Sequence, residues 1–487
     1  MERTSHSSTP VKGEAALSST EKRIYIFEKA PVRRAVLQQM LPTVAGQMVA
    51  LLYNLADTFF VGLLNAPIQT AAVTVAYPPF LMMTAVSNLF GIGGASAVSH
   101  ALGRRDMDGA RRISAIAFWL SLASAAVFSL LCGSFLHPLL SLCGADAEVY
   151  PVAAAYARWT LLWGGAGTIL NLLLSNLLRA EGRAALAFAG VTLGGVLNIV
   201  LDPFFILPQY MNMGAAGAGL ATAISNTAGT LFFLLCLLRR SSTVLSLRPC
   251  HLKRTGVYIR EILSIGFPSA LQYALTVVSL AVLSLFVSKY AVEAVAAYGI
   301  VKKLDNLPLY FSLGTSAGLL PFLSYNYASG DRERQRQGFV FGVSITVGFS
   351  LACVIVFELF APQLARLFIQ DDMTVAYAAA FLRRMVLCMP FVAICHPMIT
   401  QFQAMGRTRE SLICSILRLA GYPAAASAGP PIPPVWLRAG AACRRPDLPD
   451  RSTGPVPTPT ADISCLTRKI HWKGEGAYTS RRAFAPL

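Results

Sequence analysis

The stretch Ala-Glu-Gly-Arg at residues 180–183 recurs as Ala-Met-Gly-Arg at residues 404–407. Other landmarks recur in the same order at nearly the same offset, about 226 residues. They are Pro42 with Pro268, and Gly103 with Gly330. An internal repeat of this length predicts two structural halves built on one plan.

The composition indicates a membrane protein. Of the 487 residues, 55% are hydrophobic and only 13% are charged, which is too little polar surface to cover a soluble protein of this size. Apolar runs long enough to cross a bilayer as helices recur along the chain. They are predicted at residues 35–62, 71–100, 113–136, 150–180, 185–207, 214–238, 262–287, 292–327, 338–360 and 376–404, and an eleventh begins near Ser411.

The repeat and the spans together predict an all-α polytopic membrane protein of two six-helix bundles. Residues 35–240 form the first lobe with six spans, and residues 262–421 form the second lobe with four spans and the start of another. A cytoplasmic tail at residues 1–34 precedes the lobes, and a cytoplasmic linker at residues 241–261 joins them. Duplication in so apolar a chain is typical of a transporter whose substrate path runs between its lobes.

The formal net charge of +17 does not predict a nucleic-acid partner, because the basic residues cluster at every second connection between spans. Lys and Arg mark the cytoplasmic side of membrane proteins. The clusters therefore predict a multi-pass protein of the plasma membrane with a cytoplasmic amino terminus and both lobes in the same orientation. They lie at residues 22–34, 104–112, 183, 239–260, 332–336 and 407–409.

Two carboxylates within predicted spans are candidate functional groups, since a carboxylate in a bilayer core is costly. Asp57 shares a helix face with Tyr53 and Asn54. Asp202 follows Asn198 by one turn, and the proline after it leaves a backbone carbonyl without its helical partner. Oxygen groups clustered in this way suit a small hard cation such as Na⁺. The alternative is that either aspartate lies near the extracellular end of its helix.

The second lobe does not repeat this chemistry. Its charged cluster contains Lys302, Lys303 and Asp305, and the spacing of Lys302 and Asp305 predicts an internal ion pair rather than a substrate site. His396 is a lone histidine on an apolar helix, and we expect a packed, neutral imidazole.

The sequence predicts neither an enzyme nor a cofactor. It contains no recognisable catalytic set of carboxylates with His and no nucleophile motif, and its ten cysteines lack metal-type spacing. The glycine-rich runs at residues 91–94 and 214–219 lack the strand and the Lys-Ser/Thr pair of a phosphate loop. They predict close packing between helices instead.

Over about residues 35–419 the chain resembles the multidrug and toxic compound extrusion (MATE) transporters, in particular their prokaryotic DinF-like branch. The resemblance rests on Pro42 with residues 53–58, on residues 198–203, on residues 217–222, and on glycine-basic loops after alternate spans. It implies two six-helix bundles forming a V, and export of bulky, often cationic organic compounds in exchange for Na⁺ or H⁺.

The resemblance also implies a set of site residues. The implied cation site consists of Asp57, Asn198, Asp202 and Thr222, which would bind Na⁺ or H⁺ as the coupling ion. We place Tyr53, Asn54 and Asn176 in the expected substrate cavity. The expected partners are small organic cations or drugs and membrane lipid, and the expected state is a monomer.

Residues 422–487 do not continue the membrane pattern. They contain eleven of the 28 prolines, and no apolar run there reaches bilayer length. We favour a frameshift near codon 421 over a natural cytoplasmic tail, because it also explains why the second bundle would be truncated after about ten and a half helices. The nucleotide sequence of the gene tests this interpretation.

Three functions stay open at this point. Cation-coupled efflux is the leading hypothesis. A related two-lobed flippase for lipid-linked or polysaccharide substrates would need a basic central cavity, for which the sequence offers Lys302 and Lys303. An inactive remnant follows if the truncated second lobe does not function. Na⁺- or pH-dependent dye efflux distinguishes these hypotheses.

Overall fold

The computed structural model describes residues 25–64, 66–239, 243–252, 255–287, 292–369 and 371–427, and every regular element in these ranges is helical. The helices of the first half are α1 (Val32–Gly62), α2 (Pro67–Gly103), α3 (Met107–Ser134), α4 (Leu136–Leu142), α5 (Val149–Ala157), α6 (Gly165–Ala180), α7 (Ala184–Ile206) and α8 (Ala215–Arg239). Those of the second half are α9 (Thr255–Val287), α10 (Val292–Ala328), α11 (Arg332–Arg366), α12 (Asp372–Val386), α13 (Met389–Ala404) and α14 (Thr408–Ser427). The all-α membrane fold predicted from the sequence is confirmed.

Eight of the described helices are long and apolar enough to cross a membrane, and two bent helix pairs raise the number to ten. The pairs are α5 with α6, bent by 49°, and α12 with α13, bent by 44°. The sequence predicted each pair as one span. A π-helical turn and Gly164 interrupt the first pair. In the second pair Pro390, which cannot donate a backbone hydrogen bond, lies in the first turn of α13.

The repeated basic loops share a capping geometry. Asp106 and Asp331 cap the amino ends of α3 and α11, accepting hydrogen bonds from the amides of Gly109 (2.7 Å) and Arg334 (2.9 Å). Gly330 adopts a left-handed backbone conformation (φ 86°), as the glycines of the two other matched loops do. In the first loop Arg105 takes the left-handed conformation (φ 60°). Both capped loops therefore keep the turn and the aspartate cap, although the left-handed residue is Arg105 in one loop and Gly330 in the other.

The four basic loops lie at one end of the bundles, here called the basic end, where the two bundles are in contact. His100 of α2 lies 2.8 Å from the Ala404 carbonyl through Nε2 and 3.4 Å from Glu261 Oε1 through Nδ1. Ser96 and Ser324 share a 3.0 Å hydrogen bond between α2 and α10. Polar bonds between helices from different halves hold this end closed.

Glycines allow the bundles to approach closely just inside the basic end. A Cβ at Gly93 would collide with the Ile262 carbonyl of α9, and one at Gly318 would lie 2.7 Å from Met40 Cα of α1. Gly93 and Gly318 lie near equivalent positions of the repeat, so the two helix crossings are related by the duplication. The close packing predicted for the run at residues 91–94 is confirmed at Gly93.

The chain before α1 is folded from residue 25 onward. Phe27 is buried and stacks on Tyr325 with ring centroids 5.4 Å apart. Arg334 donates to the Phe27 carbonyl (2.7 Å) and to the Ala30 carbonyl (2.5 Å). The last part of the predicted tail at residues 1–34 thus packs against α10 and α11, while residues 1–24 lie outside the described residues.

A buried carboxylate anchors the segment between the two halves. Glu181 accepts hydrogen bonds from the Val244 amide (2.7 Å) and the Thr243 hydroxyl (2.9 Å), and it lies 3.3 Å from Arg183 Nε. The segment predicted as a linker is shorter than expected, because α9 already begins at Thr255.

The last described helix, α14, ends at Ser427, somewhat beyond the boundary expected near residue 421. Residues 428–487 lie outside the described residues. The predicted proline-rich tail falls mostly in that range, and the frameshift stays a prediction.

Candidate functional site

A cavity of about 330 Å³ lies between the two bundles, on the far side of the helix crossings from the basic end. Both halves of the chain line it, mainly with amide, hydroxyl and aromatic side chains. The first half contributes Gln47, Asn88, Asn171, Asn226, Tyr77 and Phe188 among others, and the second half contributes Gln272, Tyr273, Asn306, Tyr310 and Gln403. Polar groups beside aromatic faces are typical of sites for small organic molecules.

The three residues predicted for the substrate cavity all line this space. They are Tyr53, Asn54 and Asn176. Asn54 Nδ2 donates to the Ala50 carbonyl at 2.7 Å, and Asn176 Nδ2 donates to the Leu172 carbonyl at 2.8 Å. These bonds within their own helices fix both amides, so their oxygens keep defined directions.

Three of the four predicted cation ligands form one buried cluster between α7 and α8. Asn198 Nδ2 lies 3.3 Å from Asp202 Oδ1 and 3.5 Å from Thr222 Oγ1. Asp202 is fully buried, whereas Asn198 and Thr222 also contribute to the cavity lining. The cluster therefore forms part of the cavity wall, with the carboxylate behind the surface.

The fourth predicted ligand, Asp57, lies on α1 close enough to Asp202 for the two carboxylates to interact electrostatically. Its Oδ1 atom is buried and has no hydrogen-bond partner in the part of the chain that the structure describes. The same holds for Asp202 Oδ2 and Asn198 Oδ1. Tyr156, which the sequence did not single out, lies within electrostatic range of both carboxylates.

These oxygens fit a small hard cation. Unpartnered buried oxygens cost free energy unless an ion or a proton satisfies them. Carboxylate, amide and hydroxyl oxygens are the ligands that such cations prefer. Within the described ranges, no group of three or more His, Cys, Asp or Glu side chains is placed to hold a metal ion. The donor set thus suits Na⁺ or a shared proton.

Two arginines that the sequence did not single out line the cavity. Arg179, at the end of α6, and Arg418, on α14, are both nearly fully buried and both face the cavity. Arg418 Nη1 lies 3.3 Å from Nε2 of His396, which is buried as expected. An arginine inside the eleventh apolar run was the available signal for Arg418, whereas Arg179 resembled a loop charge because it lies beside residues 180–183.

The lysines considered for a basic cavity do not line it. Lys302 Nζ lies 3.2 Å from Asp305 Oδ2, which is the internal pair expected from the spacing. Lys303 Nζ lies 6.0 Å from the centre of the Phe368 ring. Neither lysine is among the cavity-lining residues.

Comparison with known proteins gives consistent matches over most of the chain. The MatE family model matches residues 42–204 and 268–423. The multidrug export protein MepA of Staphylococcus haemolyticus (strain JCSC1435) is 28% identical over 396 residues, which is 81% of this chain and 86% of MepA. MepA of Staphylococcus aureus (strain N315) is 28% identical over 398 residues, which is 82% of this chain and 87% of that protein.

Two solved structures are similar over the same extent. One is the outward-facing conformation of a multidrug resistance MATE family transporter of the MOP superfamily, with a TM-score of 0.76 and 27% identity over 81% of this chain and 87% of that chain. The other is MATE in complex with MaL6, with a TM-score of 0.74 and 27% identity over 81% of this chain and 88% of that chain.

Proposed function

The chain belongs to the MatE family, and on that premise we propose that it is a secondary active antiporter that exports small organic compounds in exchange for Na⁺ or H⁺. The observation that carries the proposal is the buried oxygen cluster of Asn198, Asp202 and Thr222 in the wall of a cavity between two bundles. Multidrug export is the activity named for the MepA proteins to which the chain is similar.

The orientation is part of the proposal. The basic end should face the cytoplasm, because Lys and Arg are retained on that side during membrane insertion. The amino terminus would then be cytoplasmic. The polar contacts of His100 and Ser96 close the basic end, so the cavity would be accessible from outside the cell. The similarity to an outward-facing MATE transporter supports this orientation.

Coupling requires that the ion and the substrate affect each other. Asn198 is suited to this role, because its side chain contacts Asp202 and also lines the cavity. An ion that binds Asp57 and Asp202 would pull Asn198 Oδ1, which has no partner among the described residues, toward itself. The cavity wall would change shape, and the ion would favour the arrangement that releases substrate.

The available driving force is sufficient for efflux. One net elementary charge that moves inward through 100 mV, as when a cation enters and a neutral compound leaves, is worth about 2.3 kcal/mol. At about 1.4 kcal/mol per tenfold change, this sustains a concentration gradient of roughly fiftyfold. The carboxylates convert this energy only if ion binding differs between the two lobe arrangements.

Dye export from proteoliposomes tests the proposal, with the Na⁺ gradient and the pH gradient imposed separately. The variant Asp202→Asn should abolish stimulation by the coupling gradient, because it removes the buried carboxylate. Asp108→Asn is the matched control, since Asp108 is exposed and pairs with Arg111 on its own helix at 3.1 Å. Full gradient-driven export by Asp202→Asn would refute the role of the cluster.

The same assay addresses the other functions. An inactive remnant predicts no export of any dye under either gradient. Lys302 and Lys303 do not line the cavity, but Arg179 and Arg418 do, so a flippase for lipid-linked substrates keeps the basic cavity that it needs.

A further inference from the structure

The central cavity carries positive charge on its lining. Arg179 and Arg418 line it, and no carboxylate does so among the residues that the structure describes. Asp202 is fully buried behind this surface, and Asp57 is not among the lining residues either. A cavity built only for organic cations would be expected to have the opposite polarity.

Arg179 is the stronger observation, because its charge is almost completely buried. Only 7% of the residue is exposed, and within the described ranges no carboxylate oxygen lies within ion-pair distance of it. Its Nη2 donates to Asn176 Oδ1 at 2.7 Å and to Ser175 Oγ at 3.4 Å. Its Nε is buried and lacks a hydrogen-bond partner in the described part of the chain.

A buried, unpaired guanidinium is costly, and an anion that reaches it removes part of that cost. The acid closest to it in sequence, Glu181, is already engaged by Val244, Thr243 and Arg183. Asn176 Oδ1 holds the planar guanidinium by accepting the hydrogen bond from Nη2. Because Arg179 lines the cavity, the part of its guanidinium that stays exposed can reach a ligand there.

Arg418 supplies a second cationic group from the other bundle. It is 5% exposed, and its Nη1 lies 3.3 Å from His396 Nε2, so a neutral imidazole accepts its hydrogen bond. Tyr273 interacts electrostatically with Arg418, and Tyr310 lines the same cavity. Aromatic and guanidinium groups that line one cavity suit a flat aromatic compound that carries a negative group.

We propose that the cavity binds its substrates through an anionic group held by Arg179, with Arg418 as a second cationic group in the same cavity, so that aromatic compounds bearing a carboxylate, sulfonate, phosphate or phenolate are preferred over organic cations. This inference rests on the proposed export function and specifies its substrate class. Export of an anion against an entering cation moves two charges in the same electrical sense, whereas one-for-one exchange of two monovalent cations moves none. An inside-negative potential should therefore accelerate export of the preferred substrate.

Two dyes with one xanthene scaffold and opposite charges provide a matched test. Fluorescein methyl ester is an anion at pH 8, and rhodamine 123 is a cation. Binding to the purified full chain is followed by fluorescence anisotropy. The proposal expects the anion to bind at least about tenfold more tightly, as one charge-assisted hydrogen bond implies.

The variants separate charge recognition from structural damage. Arg179→Gln should weaken binding of fluorescein methyl ester by about 10-fold to 100-fold and leave rhodamine 123 within about twofold, and Arg418→Gln should act in the same direction. Arg179→Lys keeps the charge and should recover part of the affinity. Arg158→Gln is the control, because Arg158 lies in a predicted span but is exposed and does not line the cavity. Equal losses for both dyes would indicate a structural role and overturn the proposal.

Transport in proteoliposomes distinguishes this inference from the function on which it rests. Export of rhodamine 123 with none of fluorescein methyl ester would refute the anion preference and leave multidrug export intact. Absence of export for both dyes would refute the proposed function instead. Competition by a polyprenyl phosphate, compared with competition by free inorganic phosphate, shows whether the anionic group belongs to a lipid or to a soluble compound.

Discussion

Replacing Glu261 by Gln should weaken the closure of the basic end. Glu261 Oε1 lies 3.4 Å from His100 Nδ1 and 4.0 Å from Arg104 Nη2, so one carboxylate of the second half contacts two groups of the first. The side chain of Glu261 is 25% exposed and that of Arg104 is 51% exposed, so solvent screening limits the contribution to about 1 kcal/mol. Its loss shifts the equilibrium between closed and open arrangements about fivefold.

Double electron–electron resonance measures this shift directly. Spin labels at positions 111 and 409, which are exposed at the basic end of the two bundles, report the separation of the bundles in a variant without the native cysteines. Glu333→Gln is the control, because Glu333 pairs with Arg336 of its own helix at 2.9 Å and spans no bundle contact. The population of long distances should rise about fivefold in Glu261→Gln alone. Identical distance distributions in the two variants would refute the role of the inter-bundle contacts.

Two further substitutions test the packing. Gly93→Ala should also open the basic end, because the added Cβ meets the Ile262 carbonyl, whereas Gly348→Ala, with nothing within 4 Å of the new Cβ, should not change the spin-label distances. Glu181→Gln should destabilise the protein by about 2–3 kcal/mol, since it removes a buried charge that accepts several hydrogen bonds. The control Glu148→Gln changes an exposed residue and should leave the melting temperature in detergent unchanged. Equal melting temperatures for Glu181→Gln and Glu148→Gln would contradict the anchoring role of Glu181.

The positions of the spans were predictable because hydropathy is a local property. The predicted span at residues 185–207 agrees closely with α7, Ala184–Ile206. The breaks were not predicted, since an apolar average over residues 150–180 does not register the π-helical turn before Gly164. The predicted span at residues 338–360 underestimated α11, Arg332–Arg366, because the charged turns at the ends of this helix are helical but not apolar.

The candidate site was predictable only where the residues have a local signal. Asn198 and Asp202 lie one turn apart, so their contact follows from helix periodicity. Thr222 was predicted as a ligand from the family resemblance, and in the structure its Oγ1 lies 3.5 Å from Asn198 Nδ2. Its role as a cation ligand, and that of Asp57, stays a prediction. Tyr156 has no local signal at all, since its proximity to the carboxylates depends on the packing of separate helices.

The sequence by itself determined the membrane class and the two-fold repeat, because the hydropathy of each span and the recurring landmarks are properties of neighbouring residues. Only the tertiary structure decided which charges face the central cavity. Lys302 is paired within its helix, while Arg179 and Arg418 line the cavity from different bundles. The direction in which a buried side chain points depends on contacts between helices far apart in the chain, and no local pattern in the sequence encodes it.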